Sequence, residues 1–141
     1  MKTRAIGMFL AIGAVAVLGT TLNAQTYRLT AEVPFAFQVG NQVFAPGNYH
    51  INHGSQGVPT IRSEQNGHSF FISGASPALG TARSAKLVFH CYEGKKCFLA
   101  EIWSDTVSGN AVPKSQAEKS LATGDHAREM ATIAIDLHRA D

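Results

Sequence analysis

The chain has 141 residues, of which 12 are basic and 10 acidic, giving a formal net charge of +2. Apart from Lys95 and Lys96 the basic residues are scattered, so the concentrated positive charge of a nucleic-acid-binding surface is not predicted. A chain of this length can form one modest hydrophobic core, so we expect a single domain.

The N-terminal segment has the layout of a secretory signal peptide. Lys2 and Arg4 precede an uncharged apolar run from Ala5 to Leu18, and polar residues follow it. The run is shorter than the roughly 20 residues that a membrane-spanning helix needs, so no transmembrane span is predicted after cleavage. We therefore expect residues 1–24 to be a signal peptide and residues 25–141 to form a single β-rich domain.

The predicted export determines where we expect the mature chain to be located and what net charge it carries. Cleavage removes Lys2 and Arg4, which leaves ten basic and ten acidic residues. The first cysteine is Cys91, so no thiol near the signal could carry a lipid anchor. We expect a periplasmic or extracellular protein with no nucleic-acid partner; its partner stays unknown, and a component of the cell envelope is one possibility.

Short apolar runs separated by Gly, Pro, Asn and Ser predict hairpins throughout the mature chain. In the first, a strand from Val33 to Val39 returns through Gln42 to Phe44. The Gly40-Asn41 pair between them suits a tight turn. This register places Phe37 opposite Phe44.

A second turn is predicted directly after this hairpin. In Ala45-Pro46-Gly47-Asn48, proline and glycine occupy the two central positions that favour a type II turn. A strand from Tyr49 to Asn52 is expected to follow.

The clearest turn signal is Asn66-Gly67, because both residues tolerate the positive φ angles of a type I′ hairpin. It is predicted to join a strand from Thr60 to Glu64 with one from Ser69 to Ser73. A two-residue turn at this position places Ile61 opposite Ile72.

The third hairpin joins Lys86–Tyr92 to Cys97–Ser104 and is predicted to be central, because apolar residues line both of its faces. A three-residue turn at Glu93-Gly94-Lys95 places Cys91 opposite Cys97, within reach of a disulfide without a catalytic role. Strict alternation assigns Leu87, Phe89, Cys91, Cys97, Leu99 and Trp103 to one face, and Val88, His90, Tyr92, Phe98, Ala100 and Ile102 to the other.

One helix is marked by a capping box, in which Ser115 accepts from the amide of Glu118 and Glu118 reaches back to Ser115. Gly124 is placed to end it after Leu121-Ala122. The segment from Met130 to Leu137 alternates apolar and polar residues and is predicted to be a half-buried strand. Together these elements predict a mainly β fold, an antiparallel sandwich or a partly open barrel with one short helix.

Three blocks of sequence carry a resemblance to a known family. They are VPFAFQVG with APGNYHI, LVFH with FLAEIWS, and VPKSQAEKSLA, within 33–51, 87–104 and 112–122. The chain resembles an uncharacterised family of small exported proteins from soil bacteria. The resemblance implies export and a shared fold, but no activity and no catalytic residue. The position of Cys91 is usually not cysteine in that family, so the two thiols depart from its pattern.

The commonest sequence signatures of enzymes are missing from the chain, which has no GxSxG, HExxH, CxxC or phosphate-binding glycine loop. Among six histidines, His50 and His53 are the closest pair, but a strand would point them to opposite faces, so no metal site is predicted. Glu101 and His90 are the titratable residues to inspect for catalysis. The aromatic residues Trp103, Phe35, Phe37 and Phe44 are expected in the core rather than in a ligand site.

The sequence therefore favours an exported, non-enzymatic binding or structural domain without a cofactor. Two alternatives stay open: a small exported hydrolase whose catalytic residues are scattered in sequence, and a carrier of a small apolar ligand. A carrier would need an apolar cavity, whereas aromatic side chains would fill that space in a packed domain.

Overall fold

A computed structural model describes residues 28–53, 57–92, 96–123 and 130–139. The expected signal peptide and the turn at Glu93-Gly94-Lys95 lie outside these ranges. Within them the elements are β1 (Leu29–Val33), β2 (Phe37–Val39), β3 (Gln42–Phe44), β4 (Gly47–His53), β5 (Pro59–Ser63), β6 (Ser69–Phe71), β7 (Ser76–Pro77), β8 (Lys86–Tyr92), β9 (Lys96–Trp103), β10 (Gly109–Ala111), α1 (Gln116–Thr123), β11 (Ala131–Asp136) and β12 (His138–Arg139).

The strands form two sheets, one of which curls into a half-barrel, and the single short helix α1 accompanies them. The five-stranded sheet has the order β12-β1-β4-β5-β6. The seven-stranded sheet has the order β11-β8-β9-β10-β7, with β2 joined to β9 and β3 joined to β2. The predicted mainly β fold with one short helix is confirmed, and the β8–β9 hairpin is central as expected. One contact departs from the antiparallel pattern, because β2 runs parallel to β9.

The first predicted hairpin is confirmed, with Phe37 opposite Phe44. Gly40 turns the chain with a φ of 59°, a left-handed angle that glycine adopts without steric cost. The strand predicted from Val33 to Val39 is wrong, however, because it divides at Pro34. Proline has no N–H for a sheet ladder, and here β1 ends in one sheet before β2 begins in the other.

The predicted type II turn is not found. Gly47 has a φ of 159°, whereas the third position of that turn requires about +80°. Gly47 instead begins β4 and pairs with Val33, so the strand starts two residues before Tyr49. Only Ala45-Pro46 connects β3 to β4.

The hairpin around Asn66-Gly67 is confirmed, but its predicted register is wrong by two residues. Ile61 pairs with Phe70 rather than with Ile72. The connection is longer than a two-residue turn, since β5 ends at Ser63 and β6 begins at Ser69. Within it the amide of Gly67 donates to the carbonyl of Ser63 at 3.0 Å. A shift of two residues preserves the faces, so Ile61 and Ile72 are both buried.

The β8–β9 hairpin contains an irregularity that strict alternation did not foresee. Val88 pairs with Glu101, whereas the next residue, Phe89, pairs with Leu99. The extra residue, Ala100, is a β-bulge that reverses the faces of β9 beyond it. Ile102 therefore joins the main core, and the predicted assignment of Trp103 to that face is wrong.

The main core lies between the two sheets and is filled by aromatic rings. The ring of Phe37 lies 5.3 Å from that of Phe44, 5.1 Å from that of Tyr49 and 5.2 Å from that of Phe89. Phe35 packs edge-on against Phe89 at 5.1 Å. Phe37 and Phe44 are buried in this core, as predicted, whereas Phe35 is partly buried and packs against it.

Candidate functional site

A polar cleft lies on the outer face of the five-stranded sheet. Residues of β4 and β5 alternate across this sheet, so the buried Ile51 and Ile61 face the core while His50 and Arg62 pair on the opposite face. The cleft has a volume of about 230 Å³. Its lining consists of Arg28, His50, Asn52, Arg62, Ser63, Glu64 and Gly67.

One ion pair lies at the edge of this cleft. Nε2 of His50 lies 2.8 Å from Oε1 of Glu64, the first residue after β5. The other ring nitrogen of His50 is buried and has no hydrogen-bond partner among the described residues. The pair fixes the Glu64 side chain beside the cleft and leaves its second carboxylate oxygen without a described partner.

Two arginines supply the excess positive charge of the cleft. Arg28 and Arg62 are exposed, and within the described ranges neither side chain forms an ion pair or a hydrogen bond. Two guanidinium groups face one carboxylate in the lining, so the cleft is positive whether His50 is neutral or protonated. Two arginines in one lining are suited to an oxyanion, which an arginine can hold through two parallel hydrogen bonds.

A second group of polar residues lies on the face of the seven-stranded sheet that faces away from the main core. The hydroxyl of Tyr92 donates to Oε1 of Glu118 at 3.1 Å, and Nδ1 of His90 lies 3.5 Å from the same oxygen. Glu118 is only 3% exposed. Burial raises the pKa of the Tyr92 hydroxyl, and the Glu118 carboxyl group raises it further, so the hydroxyl stays protonated. This arrangement fastens α1 to the sheet.

The helix cap is confirmed in part. The amide of Glu118 donates to Oγ of Ser115 at 3.2 Å, as the capping box predicts. The reciprocal contact is replaced, because the Glu118 side chain interacts with Tyr92 and His90 instead. Gly124, predicted to end the helix, lies outside the described residues, and α1 extends to Thr123.

His90 and Glu101, the two residues singled out for catalysis, have separate partners. The bulge at Ala100 places Glu101 opposite Val88. There its carboxylate accepts a hydrogen bond from the indole nitrogen of Trp103 at 2.7 Å. The Trp103 ring in turn covers Gly109, where any Cβ would come within 2.6 Å of it. This contact holds β10 against β9.

His53 and Asp105 lie in a third polar region. Nε2 of His53 is 3.1 Å from the side-chain nitrogen of Asn110, which donates to it. Burial lowers the pKa of His53 and the nearby Asp105 partly opposes this shift; the net direction favours the neutral ring, whose free nitrogen can accept this hydrogen bond. Hydrogen bonds from the amides of Val107 and Ser108 lower the pKa of Asp105.

The predicted cysteine register is confirmed. Cys91 pairs with Cys97 across β8 and β9, with 4.0 Å between the Cα atoms and the sulfur atoms at disulfide-bonding distance. Both side chains belong to the main core. Sulfurs at this distance are positioned to form a covalent staple between the two neighbouring strands.

Neither a metal-binding cluster nor a membrane-spanning helix is present among the described residues. There, no group of three or more His, Cys, Asp or Glu side chains is arranged to hold a metal ion. His50 and His53 have separate partners, Glu64 and Asn110. No helix in these parts of the chain combines the length and apolar character that crossing a membrane requires. No protein-family model, curated protein or solved structure matches the chain.

Sequence reasoning missed the cleft itself. In the sequence, nothing distinguishes Arg28 and Arg62 from the other scattered basic residues, and Glu64 is only the predicted end of a strand. The available signal was the alternation of His50, Asn52 and their neighbours, which predicts a polar outer face on β4. Arg28 reaches the cleft only through the way in which β1, β4 and β5 align, and this alignment cannot be predicted from the sequence pattern.

Proposed function

We propose that this chain is an exported, non-enzymatic binding domain whose binding surface is the polar cleft on the five-stranded sheet. One observation carries the proposal. Arg28 and Arg62 line the cleft beside the His50–Glu64 pair, and neither arginine has an anionic partner among the described residues. Exposed charges held in a concave site favour a ligand of opposite charge.

The packing of the core supports this choice over a carrier of a small apolar ligand. The rings of Phe37, Phe44, Tyr49 and Phe89 occupy the space between the sheets that such a ligand would need. An apolar groove of about 210 Å³ does lie beside β6, where Phe71 is 67% exposed. A carrier would bind its ligand there, so this groove is the surface to compare with the cleft.

The contacts of the histidines bear on the hydrolase alternative. A serine or cysteine hydrolase needs a nucleophile beside its base. Nε2 of His53 accepts from the amide of Asn110, and Nδ1 of His90 lies 3.5 Å from the carboxyl group of Glu118 without forming a hydrogen bond. These partners support structural roles for the two rings.

The thermal unfolding midpoint, measured with a panel of small anions, neutral sugars and apolar ligands, tests the binding surface. We expect an anion to raise the midpoint of the wild type, and Asn52→Phe, which fills the cleft, to abolish the rise. Asn48→Phe is the matched control, because Asn48 is exposed on the same strand but does not line the cleft. A panel in which only apolar ligands stabilise the protein, or in which Asn52→Phe binds normally, contradicts the proposal.

The mass of the protein recovered from the periplasm or medium tests export. Cleavage after Ala24 is expected to leave Gln25 as the first residue. Recovery of the chain only in the cytoplasm, with residues 1–24 still attached, would contradict the exported assignment.

A further inference from the structure

We infer that the ligand of the cleft is a sugar acid, a carboxylate of monosaccharide size that carries several hydroxyl groups. This inference rests on the proposed function and specifies its ligand class. It follows from the size of the cleft, from its net charge and from the mixture of hydrogen-bond donors and acceptors in its lining.

The size of the cleft restricts the ligand to a small molecule. Its volume of about 230 Å³ lies below the range of roughly 300 to 1,000 Å³ that is typical of sites for drug-sized ligands. It corresponds to the bulk volume of about eight water molecules, which is more than a bare inorganic anion needs. A single sugar ring with one carboxylate is a suitable occupant.

Charge separates a carboxylate from the other small polar ligands. Two guanidinium groups, on Arg28 and Arg62, exceed the single carboxylate of Glu64, so a neutral sugar would leave the excess positive charge uncompensated. An amino acid would add an ammonium group to a site that is already positive. A phosphate dianion would bring a second negative charge next to the Glu64 carboxylate, which lines the same cleft.

Hydrogen bonding favours hydroxyl groups around that carboxylate. The planar guanidinium of Arg62 can hold the carboxylate through two parallel bonds. Hydroxyl groups of the ligand then meet acceptors as well as donors, because a carboxylate residue, Glu64, and an amide residue, Asn52, line the same cleft. A sugar acid is the class of ligand that supplies one anionic group and several neutral donors together.

Isothermal titration calorimetry of the mature protein with galacturonate and galactose provides the test, because the two sugars differ by one carboxylate. We expect galacturonate to bind and galactose to bind at least about tenfold more weakly. Inorganic phosphate and serine form two further arms, and both are expected to bind more weakly than galacturonate. The expected affinity falls as salt is added, since the arginines are exposed.

Variants of the two arginines connect the binding to the cleft. Arg62→Gln and Arg28→Gln are each expected to weaken galacturonate binding about tenfold, whereas Arg62→Lys, which keeps the charge and loses the fork, is expected to have an intermediate effect. Arg83→Gln is the matched control, because Arg83 is exposed but does not line the cleft. Circular dichroism confirms that each variant is folded.

The possible outcomes separate the ligand class from the proposed function. Tighter binding of phosphate, serine or galactose than of galacturonate, with loss of that binding in Arg62→Gln, overturns the sugar acid and retains the binding domain. Galacturonate binding that is unchanged in both arginine variants also overturns the inference. Failure of every ligand to bind at the cleft overturns the inference and the proposed function together.

Discussion

The outer faces of the two sheets use polar residues in opposite ways. On the seven-stranded sheet, Tyr92 and Trp103 are buried and hydrogen-bond to Glu118 and Glu101. On the five-stranded sheet, Arg62 is exposed and has no described partner. The difference teaches that titratable residues alone do not mark a site in this fold. On the covered face they fasten elements together, whereas on the open face the side chains of Arg28 and Arg62 have no described partner.

Removal of a core ring should have the largest effect on stability. Phe89 is fully buried and contacts the rings of Phe35 and Phe37, so Phe89→Ala is expected to cost about 3–5 kcal/mol in the free energy of unfolding. Urea denaturation measures the cost. On the open face Arg62→Ala is the control, with an expected change of about 0.5 kcal/mol or less. Equal losses in the two variants would remove the distinction between the faces.

The cysteine pair is expected to have the next largest effect. The loop that it closes is short, so the staple should contribute about 2 kcal/mol, the lower end of the usual range. Denaturation with and without a reductant measures this contribution, and the double variant Cys91→Ala/Cys97→Ala should be insensitive to the reductant. Free thiols in protein purified from the periplasm without reductant would show that the pairing is wrong.

The sequence predicted most of the elements, but it could not predict where alternation fails. In β8 and β9 both faces are apolar, so the pattern contains no mark of the extra residue Ala100. An Asn-Gly pair is likewise compatible with two structures, a two-residue turn and the longer loop that is found around Gly67. In both cases tertiary packing selects between local structures that the residues permit equally well.

The candidate site was less predictable than the fold. Alternation alone places His50 and Asn52 on the open face of β4. Arg28 and Glu64 come from the start of β1 and the loop after β5, and only the register of three strands brings them together. Glu118 shows the same limit, because its spacing from Ser115 predicted a cap, whereas its partner Tyr92 is distant in sequence.

Loss of the Tyr92 hydroxyl tests the fastening role of the covered face. Tyr92→Phe leaves the buried Glu118 carboxyl group without its hydroxyl donor and is expected to cost about 1.5 kcal/mol. The double variant Tyr92→Phe/Glu118→Met, which removes both polar groups, should cost less than Tyr92→Phe alone. If the double variant lost as much unfolding free energy as Tyr92→Phe and Glu118→Met lose together, the two groups would not interact.

The helix cap is expected to have the smallest of these effects. Ser115→Ala removes the oxygen that accepts from the Glu118 amide and should cost about 1 kcal/mol. Ser120→Ala is the matched control within α1, where alanine favours the helix. Thermal unfolding distinguishes the two variants. An unchanged midpoint in Ser115→Ala would indicate that the helix begins at another residue.

The most direct test of the binding surface is a titration of the ¹⁵N-labelled mature protein with galacturonate, followed by ¹H–¹⁵N NMR spectra. We expect the largest shift changes at the Asn52 side-chain amide, the Arg62 Nε and the backbone amide of Gly67, all in the cleft lining. The Tyr92 and Glu118 amides on the covered face should change little. The account would be contradicted by changes centred on the covered face or on the groove beside Phe71, or by no changes at the highest galacturonate concentration.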